Sequence, residues 1–262
     1  MEEKQVVCLI DGDLIAYKCA AAAAKRKVLI THKKSGKSKE YKTRTEFKKF
    51  LEGKGIEFNK DDYEFEDKQY PENFIAVQKS MQAILNKIRN NTFADKLEIY
   101  LGGGDNFRHE LPLPLAYKRN RSDMLRPVLL DQARQYLIDS HKAVLVEGEE
   151  TDDVVTWRAY EVLEEGGFPI IVTADKDANQ SSNCGVLDWT KDELEVITID
   201  PVGHIDKIAI TSGKTTRYDY KGTGLKFLAY QVLVGDNADT DDDNDGWSDT
   251  EETRLGSSAT DA

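Results

Sequence analysis

Apolar positions along the chain recur with two periods, and each period predicts its own element. Gln5–Ile10 is an apolar, β-branched run that ends at Asp11-Gly12-Asp13, which predicts a first strand closing on an acidic loop. Leu14–Lys25 is Ala-rich and helical in character. Val28–His32 and Glu40–Thr43 flank Lys33–Lys39, with Ser35-Gly36 inside it, and read as a hairpin. Thr45–Glu52 predicts a short helix with Thr45 as its cap. Residues 53–72 are polar and read as loop. Asn73–Ile88 places Phe74, Val77, Met81, Ile84, Leu85 and Ile88 at helical spacing. Leu97–Leu101 predicts a second core strand, with Gly102–Asp105 as the turn after it. Pro127–Ser140 reads as helix, Ala143–Val146 as a third strand, and Asp152–Glu165 as a helix closed by Gly166-Gly167. Ile170–Thr173 predicts a fourth strand, and Val196–Thr198 and Ala209–Thr211 two more. Gly224–Val234 is an apolar helix leading to Gly235-Asp236.

Strands alternating with helices predict an α/β fold, with a central, largely parallel sheet covered by helices on both faces. Sites in such folds lie beyond the carboxyl ends of the strands. Here Asp11 follows the first strand, Gly102–Asp105 the second and Asp175 the fourth, which points to one shared site.

A chain of 262 residues can bury one sizeable core, or a core with a small appendage. Its hydrophobic share of 39% and charged share of 32% suit a soluble globular protein, and no apolar run approaches the roughly 18 residues of a membrane span. The N-terminus has neither the basic start nor the apolar stretch of a secretory signal, so a cytoplasmic location without a membrane partner is expected. Cys8, Cys19 and Cys184 show no metal spacing and read as reduced thiols. The net charge of −12 argues at first against a nucleic-acid partner, but its distribution argues for one. Residues 239–262 carry −8, which leaves −4 on the other 238. Lys25–Lys49 holds eleven Lys/Arg against Glu40 and Glu46. An enzyme that holds metal ions with carboxylates while gripping a polyanion needs acidic clusters and a basic segment together.

The acidic clusters are Asp11/Asp13, Glu150/Asp152/Asp153, Asp175/Asp177 and Asp236/Asp239. Any one of them alone is equally well read as a helix cap or a turn. Glu150 and Asp153 are three apart and share a helix face, while Asp175 and Asp177 point the same way in an extended segment. Two Mg²⁺ or Mn²⁺ ions about 4 Å apart need several converging carboxylates, and would activate water and stabilise charge on a scissile phosphate. His32, His109, His141 and His204 are isolated and read as surface or packing residues. Asn106-Phe-Arg108-His-Glu and Tyr117-Lys118-Arg119-Asn-Arg121 add cations around an aromatic ring, suited to stacking on bases and pairing with phosphates, or else to a solvated basic turn.

In order, the chain reads Asp-Gly-Asp (11–13), Asn-Phe-Arg-x-Glu (106–110), Tyr-Lys-x-Asn-Arg (117–121), Gly-x-Glu-x-Asp-Asp (148–153), Asp-Lys-Asp (175–177) and Gly-Asp-x-x-Asp (235–239). Over about residues 5–239 this resembles the phage 5′-3′ exonucleases and flap endonucleases, related to the 5′-nuclease domain of bacterial DNA polymerase I. The resemblance implies a PIN-like α/β catalytic domain over 1–239, in which 25–72 is a basic insertion with a hairpin. It implies hydrolysis of phosphodiesters in DNA with 5′ ends or flaps, and in RNA on DNA. By motif match Asp11, Glu150, Asp152 and Asp175 would hold the metal ions, and Asp153, Asp177, Asp236 and Asp239 would complete the set. Asp13 and Asp105 are further candidate ligands. Lys118 and Arg121 would contact the scissile phosphate, Tyr117 would stack near the substrate, and Arg108 and Arg119 would bind DNA.

Two departures stand out. The family carries a metal-binding Asp just before its Phe-Arg motif, where this chain has Gly102-Gly-Gly-Asp105. After Asp239 the family continues into a duplex-gripping helical element, whereas residues 240–262 form an acidic tail. In that tail Asp241, Asp243, Asp245, Gly246, Asp249 and Glu252 have the spacing of a Ca²⁺ loop, and resemble the loops of thrombospondin type-3 repeats. Two other readings therefore stand beside the nuclease: a catalytically crippled DNA-binding fragment, and a calcium-binding interaction module. The basic hairpin reads equally as a DNA contact or as a solvated sheet edge.

Overall fold

Strand β1 (Val6–Asp11) carries four consecutive buried residues, Val7 to Ile10, as expected of a strand covered on both faces. It belongs to a computed structural model that describes residues 4–106, 125–181, 183–212 and 215–234. Six strands follow the order β6-β5-β1-β7-β8-β9 in a mostly parallel sheet. They are β1, β5 (Lys96–Asn106), β6 (Val144–Gly148), β7 (Phe168–Val172), β8 (Gly185–Leu187) and β9 (Ile197–Thr198). The β5–β6 and β7–β8 pairs are parallel, and β8–β9 is antiparallel. The class is α/β, as the alternation of elements predicts. By contacts the chain divides into two compact units, one of residues 9–155, the other of the described residues of 1–8 and 156–234. The division falls within β1 and within helix α5 (Thr151–Glu164).

In the first unit, α1 (Gly12–Ala22) starts on the residue after β1 and buries Ile15, Ala16, Cys19 and Ala20. Gly12 permits this abrupt change, because a Cβ there would stand 2.7 Å from Ile99 Cγ2 of β5. Helix α3 (Phe74–Thr92) buries Val77, Met81, Leu85 and Ile88, the face its spacing predicts, and each such side chain contributes about 1.5–3 kcal/mol. Helix α4 (Leu130–His141) buries Leu130, Ala133 and Leu137.

The same unit contains a three-stranded antiparallel sheet, β3 (Ser38–Tyr41), β2 (Ala24–His32) and β4 (Tyr63–Pro71), in the order β3-β2-β4. Helix α2 (Arg44–Glu52) turns Phe47 and Leu51 onto Val28, Ile30 and Tyr41, with Phe58, Tyr63 and Phe65 packed around them. The Phe47 ring lies 4.9 Å from Tyr63 and 5.1 Å from Tyr41 in tilted, edge-on contacts, which aromatic rings favour. Where the described chain resumes at Leu125, Gln69 of β4 holds it. Gln69 Nε2 donates to Leu125 O at 3.3 Å, and Val128 N donates to Gln69 Oε1 at 3.1 Å.

The second unit adds a hairpin, β10 (His204–Ser212) and β11 (Thr215–Thr223), to β7, β8 and β9. Helix α6 (Gly224–Val234) follows β11 directly and buries Phe227. Burial pushes the thiols of Cys19 in the first unit and Cys184 in the second up to about 11. Among the described residues no helix is long and apolar enough to cross a membrane.

Several sequence expectations need correction. The first helix stops at Ala22, because Ala24 and Lys25 already pair in β2 with Pro71 and Tyr70 of β4. Thr43, not Thr45, caps α2: its hydroxyl accepts from Glu46 N at 3.1 Å, and Glu46 turns back to accept from Lys42 N at 2.6 Å. Residues 63–71, expected as loop, form β4 and pair with β2 along its whole length. Their alternation, Tyr63-Glu-Phe65-Glu, is masked by the charged residues of the solvated face. Gly102–Asp105 is no turn but the end of β5, with an irregular register against β6 between Gly102 and Asn106. A Cβ at Gly103 would stand 2.6 Å from Val146 O, so glycine lets the two backbones close up there. Strands β8 and β11 were not expected from the sequence.

His141 at the end of α4 lies edge-on to Tyr136, with ring centroids 5.3 Å apart, and its buried Nε2 has no partner among the described residues. Burial, and then the charge of Arg89, hold its pKa below the usual 6.5. The unfolded chain therefore binds this proton more readily than the folded one. Stability is fully present above pH 6.5 and declines as pH falls below it, toward the folded value. His141→Phe should raise stability by about 1 kcal/mol and flatten its dependence on acid pH, read from urea melts above and below pH 6.5. An unchanged pH slope would remove His141 as the titrating group.

Candidate functional site

The acidic turn at the end of β1 is built by hydrogen bonding before any ligand is considered. Asp11 caps α1, its Oδ1 accepting from Asp13 N at 3.0 Å. Asp13 Oδ2 accepts from Gly102 N at 2.7 Å. Arg134 of α4 donates through Nη1 to Asp13 Oδ1 and through Nη2 to Gly102 O. One guanidinium thus closes a ring through a carboxylate and a peptide, joining α1, β5 and α4. Arg134 and Asp13 keep only 21% and 34% of their side-chain exposure, so the pair is shielded and cannot easily swap partners with water.

The second group of acids opens α5. The Glu150 carbonyl accepts the first helical bond, from Val154 N at 3.2 Å, and Asp152 and Asp153 occupy the first turn. Negative charge there suits the positive end of the helix. Gly102 lies between this helix start and the Asp11–Asp13 turn. A Cβ on it would meet Thr151 Oγ1 at 3.1 Å and Asp13 Oδ2 at 3.3 Å. In the first unit, the structure therefore brings two of the predicted acidic groups around one glycine.

The third group, in the second unit, repeats the first in miniature. Asp175 follows β7 and caps a 3-10 turn, Lys176–Gln180, its Oδ1 accepting from Asp177 N at 3.1 Å. Asp177 Oδ1 accepts from Gln231 Nε2 of α6 at 2.8 Å, and Gln180 Nε2 donates to Gln231 Oε1. Both Asp-x-Asp turns therefore use the first carboxylate as a cap and fix the second from a distant helix. The clamps differ in charge. Arginine neutralises Asp13, whereas a neutral amide leaves the full charge of Asp177 in place. Asp177 is thus the better donor to a cation, and Asp13 has the geometry of a structural tie.

An all-oxygen donor set matches the preference of Mg²⁺ and Mn²⁺. Among the described residues, however, no three of His, Cys, Asp and Glu gather into a group able to hold one ion. Asp236, Asp239, Arg108, Tyr117, Lys118, Arg119, Arg121 and the calcium-loop residues Asp241, Asp243, Asp245, Asp249 and Glu252 lie outside the described residues, as does the side chain of Asp105.

Sequence reasoning missed Arg134, Gln231 and Gln180. Two of them had a readable signal. Arg134 is four residues after buried Leu130 and three before buried Leu137, on the helix stripe that faces the core. Gln231 is four residues after buried Phe227. A polar side chain on an apolar stripe calls for a partner inside.

Comparison of the sequence with protein-family models gives no match, and comparison with curated proteins gives none either. Arg134→Met should destabilise the protein by about 2 kcal/mol, by stranding a half-buried carboxylate, and Asp13→Asn beside it should recover part of that loss. A double-mutant cycle in urea measures this coupling; independent, additive losses would show that the pair is not a tie.

Proposed function

We propose that the chain is a metal-dependent 5′-nuclease that hydrolyses phosphodiesters in DNA at 5′ ends or flaps. The observation that carries the reading is the pair of Asp-x-Asp turns, each placed where a core strand ends and each held rigid by its own clamp. They stand in the motif order of the 5′-nucleases, and a mostly parallel α/β sheet is compatible with a PIN-like catalytic domain with helices on both faces. Asp11, Glu150, Asp152, Asp153, Asp175 and Asp177 would hold two divalent cations, with Asp236 and Asp239 completing the set. Bound there, the ions would supply an activated water and offset charge on the scissile phosphate.

The chain's own contribution is orientation. The caps on Asp11 and Asp175 fix the turns, Gln231 aims Asp177, and Arg134 locks the turn next to Asp11. By the resemblance, Lys118 and Arg121 would pair with the phosphate, and Arg108, Tyr117 and Arg119 would bind the strand beside it.

Cleavage of a 5′-labelled flap duplex in Mg²⁺, beside an EDTA control, tests the reading. The parent should cut and EDTA should abolish cutting, while Asp175→Ala should lower the rate about a hundredfold or more. Asp177→Asn should lower turnover with little change in stability, and Asp13→Asn should mainly lower stability. Full activity in Asp175→Ala would remove the site assignment. Binding of the flap by a folded parent that never cuts it would replace the enzyme with a DNA-binding protein.

A further inference from the structure

The three-stranded sheet of the first unit has two faces with different charge economies. On one, the basic side chains are already matched. Lys27 pairs with Glu40 at 2.9 Å, and Tyr70 donates a hydrogen bond to the same carboxylate. Around it Lys25 pairs with Glu72 and Lys68 with Glu66, whereas Arg44 at the start of α2 pairs with Asp67 on the opposite face. On the other, covered by α2, Lys39, Lys42, Lys48, Lys49 and Lys54 are exposed and pair with no carboxylate among the described residues.

Three of these lysines are held by aromatic rings. Lys39 Nζ stands over the Phe50 ring at 5.1 Å and over Tyr41 at 5.3 Å, Lys54 Nζ over Phe50 at 4.7 Å, and Lys48 Nζ over Phe58 at 4.8 Å. Phe50 therefore positions two ammonium groups within about 10 Å of each other, a span of about three phosphates at roughly 3.4 Å per charge along one strand. Cations over aromatic rings give up part of their freedom in advance, so less is lost when an anion arrives. The one acid of the α2 N-terminus, Glu46, is turned back onto Lys42 N.

In a chain of net charge −12, a patch of unmatched lysines is self-repelling, and an external polyanion relieves that repulsion. We infer that the lysine face formed by α2, the end of β3 and Lys54 is a binding surface for the phosphate backbone of a nucleic acid, centred on Lys39 and Lys54 over Phe50 and on exposed Lys49 of α2. The choice of nucleic acid over other polyanions rests on the nuclease reading and on one structural fact. An amphipathic surface that enters lipid needs a broad apolar face, whereas the large apolar side chains of α2 point inward at Phe47 and Leu51. Phe50, at 37% exposure, is the one that α2 shows, and Ile56 beyond the helix, at 47%, adds to it.

The test is fluorescence anisotropy with a short labelled oligonucleotide, single-stranded or duplex, in EDTA over a series of KCl concentrations. The triple variant Lys39→Gln, Lys49→Gln, Lys54→Gln should make the salt slope on the single strand shallower by about 2, and lower affinity at low salt about tenfold or more. Arginine at the same three positions should restore both, and thermal melts should show both triples folded. The control triple Lys79→Gln, Lys142→Gln, Lys226→Gln changes net charge equally and should leave the slope unchanged. Equal losses in the two triples would overturn the inference in favour of a general charge effect. So would a triple that binds DNA normally but no longer binds vesicles containing phosphatidylserine. Because binding is read in EDTA, a parent that binds through this face yet never cuts in Mg²⁺ sinks the nuclease reading alone. A parent that cuts while the triple binds with the parental slope sinks the present inference alone.

Discussion

The first unit depends on one half-buried charge pair. Arg134 crosses from α4 to the first turn of α1 and reaches both Asp13 and the carbonyl of Gly102. A guanidinium so poorly exposed is tolerable only when its donors are met with good geometry, and here a carboxylate and a peptide oxygen meet them. The tie fixes where α1 starts, and so fixes Asp11 at the end of β1. It also holds the glycine end of β5 to the same turn. Gly12 allows the helix to press on Ile99 and Gly103 allows β5 to close on β6, but both approaches need something to hold them together. The ion pair does so for α1 and β5, and the parallel ladder does so for β5 and β6.

The second unit reaches the same local geometry by other means. Asp175 and Asp177 repeat the spacing and the capping bond of Asp11 and Asp13, and Gln231 takes the place of Arg134. Substituting an amide for a guanidinium keeps the hydrogen bond and removes the compensating charge. The two turns look alike in sequence, yet one is electrostatically closed and the other is still able to attract a cation. In both, a long-range partner decides what a short motif can do.

This explains how far the sequence could be read. The buried helix face of α3 follows from its periodicity, the strands β1, β6 and β7 from their apolar runs, and the hairpin of β2 and β3 from Ser35-Gly36 between its flanks. Strand β4 was hidden: Tyr63 and Phe65 are its only two inward aromatic residues, and charge dominates the rest. The Gly102–Asp105 run looked like a turn because glycine usually signals one, but here it serves close backbone approach. The acidic turns were legible as Asp-x-Asp pairs at strand ends. Their clamps were legible only in part: Arg134 and Gln231 stand out as polar residues on apolar helix stripes, but they lie 121 and 54 residues from the carboxylates they hold, and no local pattern encodes the pairing.

The buried thiols make each unit its own reporter. A thiol held to a pKa of about 11 is almost wholly protonated near neutral pH, and Cys19 and Cys184 are also shut away from solvent. An alkylating reagent can reach either one only when the surrounding structure opens. Cys19 then times the opening of the residues 9–155 unit, and Cys184, together with buried Cys8, that of the other. The molecule thus carries two internal clocks for local unfolding, each native to the sequence and readable by mass without an added label.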